Sequence, residues 1–188
     1  MRADGERNRA AILAAARRLF AERGLGVPFD LIASEAGVSR ATQNRHFPTK
    51  ESLVLAFFEE NLNRLARVIE DAPAGDGYVA ALVLCAELMR RDIGFIELFD
   101  SREAGEQARS GIAARFLALM EAPLRAAQAA GLVREDLEPE DTLMLINMIG
   151  AAALPYDLNQ PAASRGKRGT ALVVEAIRPP IRHVLPLQ

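Results

Sequence analysis

From Asn8 to Arg23 apolar residues return every three or four positions, at Ile12, Ala15, Ala16, Leu19 and Phe20, with charged residues between them. That spacing gathers them on one side of an α-helix, and Gly24 marks its end. A second helix opens at Pro28, whose missing N–H suits a first turn. It turns Leu31, Ile32 and Ala36 inward, while Ala33 is small enough to let another helix cross closely. Gly37 supplies the positive-φ turn that a β-branched residue would not adopt cheaply. Val38 plugs the corner and Ser39 caps a third helix, Arg40 to His46. Phe47 anchors the next turn and Pro48 stops the helix. Thr49 then caps a long helix from Lys50 to Asp71, along which Leu53, Ala56, Phe57, Asn61, Leu65 and Val68 track one side.

The same reading continues to the C-terminus. The PAGDG segment (Pro73 to Gly77) is a loop, followed by helices over Tyr78–Arg91 and Ile93–Phe99. After a polar stretch, Asp100 to Gly105, a long helix runs from Gln107 to Ala130, with a bend expected at Pro123 and Gly131 closing it. Pro139, Glu140 and Asp141 open a helix that reaches Leu154. Pro155 to Gly166 reads as a loop, and a last helix spans Lys167 to Ile177, ended by Pro179 and Pro180. No strand-like alternation and no internal repeat interrupts this. The expectation is an all-α chain of about nine helices: a three-helix helix-turn-helix head over 1–50 and a helical bundle over 51–188.

Composition agrees with helices and narrows the setting. The chain has 188 residues, half of them hydrophobic, so a real core is affordable and disorder is not the default. The single Cys85 leaves no internal disulfide and fits a reducing cytoplasm. The polar opening MRADGERNRA carries no export signal. The longest apolar run, Leu143 to Leu154, is too short to span a bilayer. Net charge is −2, but its distribution is uneven. Residues 1–50 hold nine Lys/Arg against five Asp/Glu, for +4, and the remainder holds fourteen against twenty, for −6. A basic head on an acidic body orients toward phosphate backbones.

The third helix carries the chemistry that fits those phosphates. Ser39, Arg40, Thr42, Gln43, Asn44, Arg45 and His46 offer donors and acceptors for phosphates and base edges. The exposed amides at the start of the fourth helix, with Lys50 beside them, suit a further phosphate. Helix, glycine turn, helix is common in all-α proteins, where a polar second helix is usually a solvated face. The surroundings add to it here. RAAILAAARRLFAERG (Arg9 to Gly24), IASEAGVS (Ile32 to Ser39) and RHFPTKESL (Arg45 to Leu53) follow one another in register. Together they resemble the N-terminal domain of the tetracycline-repressor (TetR) family of bacterial transcription regulators. The rest of the chain matches that family only in length and helical character.

The resemblance implies a repressor that binds a palindromic double-stranded DNA operator as a homodimer and lets go when a small molecule enters its body. It also marks a departure. The family usually has an apolar residue and then a tyrosine where this chain has Gln43 and Asn44. Gln43 shares the side of its helix with Phe47, which in the family faces the first helix. It must either find a hydrogen bond inside, for instance to the first helix, or join the reading surface. Asn44, in place of the tyrosine, can bond an adenine edge.

Two expectations concern the body. The helix through Leu143 to Leu154 is apolar on all sides except at Asn147, so it is either a central core helix or one whose second side needs a partner beyond its own domain, and the resemblance implies the latter. With the last helix it gives a dimer surface of Leu143, Ile146, Ile149, Ala171, Leu172, Val174 and Ile177. The resemblance implies an effector cavity, for which the candidate lining is Phe57, Leu62, Cys85, Met89, Phe95, Phe99, Phe116, Met120, Met144, Asn147 and Met148. Met and Phe make adaptable apolar walls, though such residues at helical spacing are more often plain core. The effector would be neutral or hydrophobic. Catalytic chemistry is poorly supported. His46 and His183 are the only histidines, no phosphate-binding glycine motif occurs, and the carboxylate pairs lie where solvated helices put them. Neither an enzyme, a metal site nor a cofactor is expected. The rival from another class is a helical small-molecule carrier or interaction protein with a degenerate head.

Overall fold

The computed structural model describes residues 2–24, 26–91, 106–152 and 162–179. Among them are eight helices: α1 (Arg2–Arg23), α2 (Phe29–Glu35), α3 (Arg40–His46), α4 (Lys50–Asp71), α5 (Gly77–Arg91), α6 (Glu106–Ala129), α7 (Asp141–Ala152) and α8 (Ala162–Ala176). No strand occurs among the described residues. The expected helix over Ile93–Phe99 lies outside them. Two ends differ from the sequence reading. The polar opening joins α1, which begins at Arg2 rather than Asn8. In α8, residues from Ala162 onward are already helical where a loop was expected up to Gly166.

Two compact units emerge, one from Met1–Asn63 together with α6 as far as Ile112, the other from Arg64–Arg90 and the chain from Ala113 on. In the first, α1 packs on α2 and α3. Ile12, Leu13, Ala15, Ala16, Leu19 and Phe20 meet Ile32, Phe47, Leu53, Val54, Ala56, Phe57 and Phe58 in one buried cluster that also takes in Ile112. The head core therefore extends past residue 50, because α4 supplies much of its floor. Full burial of side chains like these contributes ~1.5–3 kcal/mol each, which is what holds such short helices as α2 and α3 in place. Phe20 and Phe57 meet edge to face, with ring centroids 6.1 Å apart.

In the second unit α5 buries Tyr78, Ala81, Leu82, Cys85, Ala86 and Met89, an i, i+3, i+4 stripe. The matching stripe of α6 is Phe116, Met120, Leu124 and Ala127. Tyr78 and Thr142, both fully buried, satisfy one another across 3.0 Å. The side-chain amide of Gln128 donates to the carbonyls of Arg134, Glu135 and Leu137 at 2.9–3.3 Å, fixing the turn before α7. Gly75, at φ +91°, has a special reason to be glycine. A Cβ there would lie 2.9 Å from the Ala130 methyl and 3.1 Å from Leu132, on a backbone that L residues rarely adopt.

Candidate nucleic-acid interface

The turn between α2 and α3 is built by its own residues. Val38 N–H donates to the Ala33 carbonyl at 3.0 Å and Gly37 N–H to that of Ser34 at 3.1 Å, with Gly37 at φ +67°. This paired closure of a helix end requires a left-handed residue at the glycine position. On the other side Ser39 adopts an extended backbone, and its hydroxyl accepts from the Thr42 N–H at 3.1 Å. Pro28 stands just ahead of α2, at its N-cap, one position earlier than a first-turn proline. The start of α4 is closed reciprocally: Ser52 N–H donates to the Thr49 hydroxyl at 3.1 Å, and Thr49 N–H donates to the Ser52 hydroxyl at 3.2 Å.

These caps present α3 with Ser39, Arg40, Asn44 and Arg45 exposed and Thr42, His46 and Lys50 half-buried. Arg45 and Asn44 make no intramolecular polar contact among the described residues, so both are ready for a partner from outside. Arg40 is engaged instead in an exposed ion pair with Asp30 of α2, a contact weak enough to exchange for a phosphate. Gln43 leaves the surface. It is 1% exposed, and its Nε2 donates to the backbone carbonyl of Phe29 at 2.9 Å. The glutamine therefore reads no base. Its hydrogen bond goes to the start of α2, not to α1, and fixes the crossing of the two short helices where an apolar residue would only fill space.

Around this surface α1 is tied to the head by cations laid on rings. The Arg9 guanidinium lies 5.4 Å from the centre of the Phe47 ring, and that of Arg17 lies 5.3 Å from Phe57. Arg17 also bonds Glu60 of α4 at 2.9 Å, and Arg18 pairs with Glu35 of α2. Sequence periodicity gave no sign of these contacts, since each joins positions far apart in the chain.

The residues expected to line a cavity divide. Cys85, Met89, Phe116 and Met120 are buried in the second unit, where burial pushes the Cys85 thiol up to about 12. Phe57 is not among them: it belongs to the head cluster, against Phe20 and Arg17. Leu62 is half-buried and lies in the first unit. Phe95 and Phe99 lie outside the described residues. Met144 at 60% exposure, Met148 at 50% and the exposed Asn147 line no interior at all.

The residues of the expected dimer surface divide as well. Helices α7 and α8 pack on one another. Ile149 and Ile177, each 2% exposed, are buried in their own unit and face no partner. Leu143, Ile146 and Val174 are half-buried, whereas Ala171 and Leu172, the latter at 54%, face out. Met144, Asn147, Met148 and Ala151 share one outward face of α7 at i, i+3, i+4 and i+7.

A capped, solvent-facing second helix carrying free polar and cationic groups, set on a three-helix head, defines a helix-turn-helix DNA-binding regulator. Family comparison gives the particular lineage. Residues 12–57 match the model described as "Bacterial regulatory proteins, tetR family", and residues 65–179 match "Transcriptional regulator SbtR-like, C-terminal domain". The chain belongs to the TetR family of transcriptional regulators. It is 34% identical to the TetR transcription regulatory protein from Mycobacterium vanbaalenii, over 94% of this chain and 98% of that one, with a TM-score of 0.62. The TetR transcriptional regulator SCO0520 from Streptomyces coelicolor is 28% identical over 91% and 98%, with a TM-score of 0.61. The ketosteroid transcriptional regulator KstR2 of Mycobacterium tuberculosis shares the fold at 20% identity over 92% and 95%, with a TM-score of 0.60. No curated protein sequence matches the chain at a significant level. Among the described residues no helix is long and apolar enough to cross a membrane.

Proposed function

We propose that this regulator is a homodimeric repressor that a small neutral or apolar effector releases from a palindromic operator. The outward apolar face of the α7–α8 pair carries the reading: Met144, Met148 and Leu172 are each half exposed or more on two helices that already pack together. Large apolar side chains grouped in this way on a charged protein mark an interaction surface. A two-fold axis through such a face pairs the patch with its own copy, so Met144, Met148, Ala171 and Leu172 form the seam, with Asn147 able to bond its symmetry mate. Two heads in one dimer read two half-sites, about 34–36 Å apart or a related spacing, which makes the operator a palindrome.

In each head Ser39, Arg40, Thr42, Asn44, Arg45, His46 and Lys50 form the DNA-facing set. Arg45 holds phosphate, Asn44 meets a base edge, and Arg40 turns from Asp30 to the DNA. Residues 1–50 carry the reading and 51–188 carry dimerisation and effector binding, with Cys85, Met89, Phe116 and Met120 supplying apolar wall. Selection from a randomised duplex pool tests the core of this reading. The expected result is a palindrome whose binding weakens steeply with salt. Recovery of no palindrome, or of single half-sites bound by a monomer in sedimentation, overturns it. A thermal-shift screen of neutral metabolites against the purified dimer, followed by operator release, tests the effector.

A further inference from the structure

Helix α8 presents one outward face that carries opposite charges at equal distances from an apolar middle. Arg168, Ala171, Leu172 and Glu175 recur at i, i+3, i+4 and i+7, and all four are exposed. The other side of the helix, through Gly166, Thr170 and Val173, is buried within its own unit. The outward face is therefore the one left for a partner. Its cation and its anion stand seven residues apart, about 10 Å along the helix, too far to pair with one another. Arg168 makes no polar contact among the described residues, and Glu175 holds an exposed pair with Arg178 at 3.4 Å. A surface contact of that kind exchanges at little cost.

We propose that this face sets how two copies of the chain pair: their α8 helices run antiparallel, with Arg168 of each against Glu175 of the partner subunit. The inference rests on the homodimer reading above and specifies its register and its choice of partner. On a two-fold axis residue i meets j wherever j meets i. With the axis between Ala171 and Leu172, Leu172 of each copy lies on Ala171 of the other, whose small side chain lets the helices approach. The same register joins the opposite charges three residues further out, twice per dimer. A parallel pairing would set Arg168 on Arg168 and Glu175 on Glu175. A slip of one turn would set the Arg168 guanidinium against the apolar centre. Both leave charge unpaired at the seam, which costs more than a rim pair returns. The charges thus exclude wrong registers, and also other chains whose apolar face would fit but whose charges would not.

The test is a charge exchange, read as dissociation constants by sedimentation of the purified full-length protein with one partner fluorescently labelled. Arg168→Glu and Glu175→Arg alone each place two like-charge contacts in the dimer. Each should weaken self-association at least about ten-fold. Mixed together the two variants complement, so their heterodimer should be at least about ten-fold tighter than either homodimer. The double variant should return to within about three-fold of wild type. Higher salt should lift the defect of the single variants and shrink the heterodimer preference, which a packing fault would not do. Should an exchange fail to fold by circular dichroism, Arg168→Gln and Glu175→Gln replace it, and the double should then be no weaker than either single. Single variants that dimerise like wild type, a double variant with their deficits summed, or a mixture without preference overturns the proposal. If Leu172→Asp still breaks the dimer in that case, the homodimer reading stands without this register. A wild type that sediments as a monomer removes both.

Discussion

Helix α3 and the α7–α8 pair both leave groups in water that a closed globule would not need there, but of opposite character. The seven residues of α3 expose amide and guanidinium groups and bury one side chain, Gln43. The twelve residues of α7 expose thioethers and a single amide while burying Thr142, Leu145 and Ile149. The first surface is specified by caps and by a glycine turn, so its geometry is local and would survive in a monomer. The second has no local specification, and its exposed apolar area is costly until something covers it. A polar face suits a partner that must be bound and released across salt-dependent contacts; an apolar face suits a permanent one.

That contrast can be broken most directly at the apolar face. Leu172→Asp or Met148→Asp places an unpaired charge in the proposed seam, twice per dimer. With burial of such a charge costing ~3–5 kcal/mol, self-association should weaken at least about a hundred-fold in sedimentation. Circular dichroism should show the helices intact. A variant that remains a dimer would move the interface elsewhere. On α3 the corresponding experiment concerns the interior side. Gln43→Ala loses the bond to Phe29 and leaves a gap, so denaturant titration should show a loss of ~1–3 kcal/mol. If stability held and operator affinity fell instead, Gln43 would belong to the reading surface after all.

The remaining tests sharpen the polar side. Arg45→Ala should reduce the salt slope of operator binding by about one and weaken every sequence alike, since a phosphate contact carries no base information. A change of preferred sequence would make Arg45 a base reader. Ser39→Ala removes a cap and should cost ~1 kcal/mol in thermal or denaturant unfolding, with DNA binding falling only through that loss. In the body, Cys85 gives a pH readout. Its folded thiol is raised by burial, so the stability it contributes is whole below its ordinary value of 9.0 and is lost as pH climbs toward about 12. A thiol reagent at neutral pH should therefore label it only as fast as the body opens.

Most of the head was legible because its signals are local. Gly24 and Gly37 at positive φ, the Ser39 cap and the Thr49 cap on α4 each follow from a residue type at one position. The unbroken α1 was less so, since its first turns are polar and nothing periodic marks them. Gln43 was ambiguous in principle: a polar residue on a helix side shared with Phe47 can be a buried donor or a rotated reader, and only the approach of the Phe29 carbonyl decides which.

The sequence by itself determined the order of the eight described helices and most of their bounds, the turn chemistry and the charge asymmetry, because each depends on neighbours within a few residues. It also determined that α7, past its first turn, is apolar on all sides except at Asn147. Which side of α7 turns inward was decided only by the tertiary structure. A helix whose one polar side chain past the first turn is Asn147 carries a weak rotational signal, since that amide can find a partner inside or out. The same composition therefore allowed Met144 and Met148 inside with Ile149 and Ile177 at a seam, or the reverse. Packing against α8 chose the reverse, because burying Leu145, Ile149, Val173 and Ile177 together fills one shared interior and leaves the flexible methionines outside.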